Sequence, residues 1–133
     1  MPHLVILYTA NLERETNIGA LCRTLGDTML AVRDEAGLQL FPTGGTRVFA
    51  YPAPHFAVAD NERDYAFIYL NVRMAPGRSD AIRKEVGDAL LASAKAHLGA
   101  LFERRLIGMT LQIDDAPPAY DGKHNNINAL FAH

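Results

Sequence analysis

The chain has 133 residues, 49% apolar and 21% charged, the balance of one folded domain and too little material for two. Its formal net charge of −2 gives no global reason to bind nucleic acid or an anionic membrane, and no run of Lys and Arg supplies a local one. Cys22 is the single cysteine, which excludes an intramolecular disulfide scaffold.

The opening MPHLVILYTANLERE lacks a basic leader region, a long apolar stretch and a small-residue cleavage site, and no later segment approaches the length of a membrane span. The expected location is the cytoplasm, with no membrane partner. Residues 4–8 are continuously apolar and short, which predicts a buried strand. From Ile18 to Val32, Ile18, Leu21, Cys22, Leu25, Met29 and Val32 recur at threes and fours, an amphipathic helix that Asn17 can cap. Gly37 and residues 42–45 lead into a second strand at 46–51, whose Val48, Phe49 and Tyr51 favour extended backbone. Pro52 and Pro54 are expected to interrupt its pairing.

A second unit repeats the first. Residues 65–74 alternate, with Ala66, Ile68, Leu70, Val72 and Met74 on one face and Tyr65, Phe67, Tyr69, Asn71 and Arg73 on the other. A turn at Pro76 and Gly77 precedes Ser79, which can cap a helix running to about Arg105. Ile82, Val86, Leu90, Leu98, Leu101 and Phe102 form its buried side. Residues 106–115 follow as a strand, and 116–133 as a tail. Two β-α-β units, roughly 2–60 and 61–115, make a single domain. A helix crossover sets each unit's strands parallel, so the predicted fold is an α/β (α+β) two-layer sandwich. A four-stranded mixed sheet would carry both helices on one face. The other sheet face keeps apolar and aromatic residues, which implies an oligomer.

Loss of Met1 would leave Pro2 as a secondary amine at the start of an apolar strand. An ordinary α-amino group has a pKa of about 8; an apolar cleft or a nearby cation lowers it, giving a base suited to moving protons on carbon. A Met-Pro start also arises by chance, but an immediately following strand would hold the amine still. Arg47 opens the second strand, and Arg78 lies just before the second helix, where backbone N–H groups and the helix dipole favour anions. Each is either a carboxylate-binding guanidinium or a solvated surface arginine. Other residues point to less. Gly44 and Gly45 lack the Lys-Ser or Lys-Thr of a phosphate loop, and the five histidines show no metal-ligand spacing. Cys22 falls on an apolar stripe and reads as a core thiol. Asp114 and Asp115 read as a solvated strand end. Tyr65, Phe67 and Tyr69 lack the basic signature of an RNA-stacking sheet.

The start MPH, the FP-x-x-G-x-R run at 41–47, DYAF at 64–67, GRS at 77–79 and NN-x-x-ALF at 125–131 together resemble the 5-carboxymethyl-2-hydroxymuconate isomerase family. That family lies within the tautomerase superfamily, which includes macrophage migration inhibitory factor. The resemblance implies a homotrimer with inward-packed sheets and Pro2 as catalytic base. It also implies Arg47 and Arg78 as substrate-binding arginines; the helix amino end beside Arg78 favours that residue for anchoring a carboxylate and leaves Arg47 for closer contact with the reacting end. The implied reaction is a 1,3 keto-enol proton shift on a polycarboxylated dienol from homoprotocatechuate breakdown, with no metal or organic cofactor. Two features depart from the family pattern. Phe49 stands where a second arginine is expected, and the segment 31–40 is longer. Two alternatives stay open: a superfamily enzyme acting on pyruvate-like enols, and a non-catalytic trimeric binding protein.

Overall fold

A computed structural model describes residues 2–131. Strand β1 (His3–Thr9) is followed by helix α1 (Ile18–Ala31) and strand β2 (Arg47–Ala53); strand β3 (Ala66–Arg73), helix α2 (Asp80–Phe102) and strand β4 (Ile107–Asp114) repeat the pattern. The strands form one mixed sheet in the order β2-β1-β3-β4. The β1–β2 and β3–β4 pairs are parallel, as helix crossovers require, and β1 and β3 run antiparallel between them. The α+β two-layer architecture expected from the two repeats is the one observed.

Alternation decides the faces. Leu4, Ile6 and Tyr8 of β1 and Ala66, Ile68, Leu70 and Val72 of β3 are buried toward the helices, where they meet Leu21, Leu25 and Met29 of α1 and Val86, Leu90 and Leu98 of α2. Asn17 caps α1 by accepting from the Ala20 amide at 2.9 Å, and Ser79 caps α2 through the Ile82 amide at 3.2 Å. On the opposite face Leu7, Phe49, Tyr51 and Phe67 stay exposed. Phe67 packs closely against Gly108 of β4, where a Cβ would come within 2.3 Å of the ring.

Four expectations are corrected. Pairing does not stop at Pro52; β2 continues to Ala53, with Tyr8 opposite Pro52. An edge strand tolerates a residue without an N–H because only one of its sides is hydrogen-bonded. Helix α2 ends at Phe102, and Phe102 is exposed because it falls off the stripe that Leu98 and Leu101 complete. Arg105 therefore belongs to the following turn, where its side chain is 9% exposed. Its Nε lies 2.7 Å from Glu15 Oε2 and its Nη1 2.7 Å from Asp64 Oδ2. Asp115 is not simply solvated: it accepts from Arg83 Nη1 at 3.0 Å. Among the described residues no helix is long and apolar enough to cross a membrane.

Candidate active site

One end of the sheet gathers most of the predicted chemistry. Strands β1 and β2 begin there, β3 and β4 finish there, and the tail leaves β4 from the same end. Pro2 is buried immediately before β1, an interior strand whose first residue, His3, is in register with Arg47 on one side and Arg73 on the other. Residues flanking an interior strand are held by two ladders, so this end of the chain is anchored where most termini fray. The proposed loss of Met1 concerns a residue outside those described.

A cleft of about 920 Å³ opens at this end. Its walls are His3, the 43–47 turn, residues 73–76 and the tail from Ala116 to Phe131. Arg47 is exposed along it, with Nη1 donating to the Gly45 carbonyl at 2.9 Å. Arg73 faces it from β3, with Nη2 donating to the Ala116 carbonyl at 2.8 Å. Lys123 enters from the tail and is paired with Asp121, whose carboxyl it holds below the usual carboxylate range. Among the described residues three cationic side chains thus share the cleft with one carboxylate, which favours an anionic ligand.

Arg78 is half-buried in the turn before α2 and lies outside the lining of this cleft within a single chain. Its carbonyl accepts from Arg83 Nη1 at 2.6 Å. The 31–40 segment folds back on itself through the Arg33–Gln39 bridge. Through Glu35 it accepts from the Ser79 hydroxyl at 2.9 Å, next to Arg78. Phe49 sits opposite Val5 on the bare sheet face, against the Tyr51 ring, not in the cleft. Cys22 is half-buried against the core, and burial pushes its thiol pKa up, as expected of a packing residue and not of a nucleophile. Among the described residues no group of three or more His, Cys, Asp or Glu could hold a metal ion.

Two contributors are not legible in the sequence. Alternation places Arg73 on the non-core face of its strand, yet its position at the cleft depends on the sheet order. The tail carried no periodicity to read. Its signal is Gly44, where a Cβ would lie 2.5 Å from Asn128 Cα. The glycine is required by close approach of the tail.

Comparison with known proteins shows the family. The family model described as 5-carboxymethyl-2-hydroxymuconate isomerase matches residues 2–131. The Escherichia coli protein 5-carboxymethyl-2-hydroxymuconate Delta-isomerase is 29% identical over 131 residues, covering 98% of this chain and 99% of that protein. A crystal structure of a 5-carboxymethyl-2-hydroxymuconate delta-isomerase matches at TM-score 0.95 and 50% identity, over 100% of this chain and 94% of that one. A 5-carboxymethyl-2-hydroxymuconate isomerase from Deinococcus radiodurans R1 matches at TM-score 0.87 and 35% identity, over 99% and 95% of the two chains.

Proposed function

The chain belongs to the 5-carboxymethyl-2-hydroxymuconate isomerase family, and we propose that it shifts a proton on a polycarboxylated dienol with the secondary amine of Pro2 as base. As a member of that family it is an isomerase. The observation that carries the assignment of the base is the position of Pro2: buried, at the head of an interior strand, one residue from the register line that joins Arg47, His3 and Arg73. An amine held still at this position meets the geometric requirement of a proton-transfer base.

In the reaction proposed, Pro2 takes the hydroxyl proton of the dienol, leaving a dienolate, and returns a proton to the far carbon of the enol double bond to give the ketone. The net change is a 1,3 shift with no redox step. Arg47, exposed in the cleft, stabilises the negative charge that develops at the reacting end. Arg78 holds a carboxylate with help from the amino end of α2. The substrate class is a carboxylated muconate from homoprotocatechuate breakdown, and the working form is a homotrimer.

The test is turnover of 5-carboxymethyl-2-hydroxymuconate beside phenylenolpyruvate, which has one carboxylate. The proposal expects a clear preference for the first in kcat/KM. Equal or better turnover of phenylenolpyruvate would move the assignment to a tautomerase of simple enols. No turnover of either by protein lacking Met1 would leave a binding protein.

A further inference from the structure

The tail is a built wall of the cleft, and the mechanism above gives it no task. Because β4 is parallel to β3, the tail emerges beside the end of β3, where Arg73 Nη2 donates to the Ala116 carbonyl at 2.8 Å. Farther on, Asn125 Oδ1 accepts from the Ile127 and Asn128 amides at 2.6 and 3.0 Å. These bonds start the short 3-10 helix Asn128–Phe131, and Asn128 packs onto Gly44 too closely for any side chain there. Between these two fixed points the chain carries Lys123 along the cleft.

We infer that Lys123 binds a remote carboxylate of the ligand and makes the tail a specificity wall that favours polycarboxylates over monocarboxylates. The ligand's identity rests on the isomerase reading; the charge pattern does not. A carboxymethyl-hydroxymuconate carries three carboxylates; Arg78 is assigned one of them and Arg47 the charge at the reacting end, which leaves a remote carboxylate without a cation. Of the two other cations in the cleft, Arg73 is engaged by the tail backbone. Among the described residues Lys123 is paired with Asp121, and both side chains of that pair are about half exposed, at 47% and 52%. An exposed ion pair is worth little, so an incoming carboxylate can displace Asp121 at small cost. Asp121 then acts as an internal competitor for Lys123.

This gives two variants with opposite expected signs. Calorimetric binding of tricarballylate, a saturated tricarboxylate that cannot tautomerise, is measured for the full chain, Lys123→Met and Asp121→Asn, with propionate as the monocarboxylate control. Lys123→Met is expected to weaken tricarballylate binding about tenfold, the worth of one charge-assisted contact, and Asp121→Asn to tighten it roughly two- to fivefold. Propionate binding should not follow either change. Unchanged tricarballylate affinity in Lys123→Met, an equal loss for both ligands, or no binding of tricarballylate by the unaltered chain would each overturn the inference. Because the probe does not react, the isomerase reading is judged separately by turnover. Normal turnover with unchanged binding in Lys123→Met removes the lysine and leaves the isomerase. The predicted binding pattern without turnover keeps the anion site and removes the isomerase.

Discussion

Arg47 and Arg78 differ in surroundings more than in chemistry. Arg47 is exposed in the cleft with one nitrogen on the Gly45 carbonyl, whereas Arg78 is half-buried beside the capped start of α2. As solvated surface residues, either could be replaced by Ala with a stability change under about 0.5 kcal/mol and unaltered kinetics. As carboxylate ligands, each Ala variant keeps its fold and loses about ten- to a hundredfold in kcat/KM on a polycarboxylate, the equivalent of about 1.5–3 kcal/mol. Arg47→Ala is expected to act mainly on kcat and Arg78→Ala mainly on KM. Steady-state kinetics on the two variants check both statements. The types and numbers of these residues could be read from the chain. Which of them share one cleft could not, since Arg73 and Lys123 reach it only through sheet order and the path of the tail.

The elements themselves were more legible than their ends. The alternation at 66–74 fixed which side of β3 meets the helices, and every core-side residue named there is buried. Pro52 misled because a proline's tolerance depends on whether its strand lies at an edge, which is a property of the sheet and not of the strand. Arg105 misled because a long helix pattern conceals a terminal turn that is held by ion pairs. There Asp64, from the DYAF run, accepts from Arg105 Nη1 at 2.7 Å and from Asn11 Nδ2 at 3.0 Å. The Arg105 hydrogen bond, then that of Asn11, holds the Asp64 carboxyl below its ordinary range. A carboxylate depressed on folding stabilises above its unfolded pKa of about 3.9, and that contribution is lost as pH falls through the lower folded value. Acid titration of stability should therefore show a smaller drop below about pH 4 in Asp64→Asn than in the unaltered chain. Asp64→Asn should also be less stable at neutral pH, because Arg105 keeps its burial and loses an acidic partner. Paired denaturant melts at the two pH values measure this.

Across the whole molecule, the bare sheet face and the N-terminal amine belong to one question. Leu7, Phe49, Tyr51 and Phe67 are between 38% and 53% exposed on a single face, an apolar patch that a lone subunit has no structural use for. Sedimentation equilibrium at micromolar concentration is expected to give a trimer, and a charge placed at Leu7 should dissociate it. A stable monomer would contradict the packing argument. The proposed site needs more than assembly, however: it needs Pro2 to carry a free amine. The decisive measurement is turnover of 5-carboxymethyl-2-hydroxymuconate by the unaltered chain and by Pro2→Ala, each with its N-terminus defined by intact mass as lacking Met1. The predicted result is a folded Pro2→Ala protein whose kcat/KM is lower by about 10²–10⁴-fold, the worth of a positioned base, with a residual rate from its primary amine. Equal turnover by the two proteins, or full activity in a preparation that retains Met1, would contradict the use of Pro2 as the base.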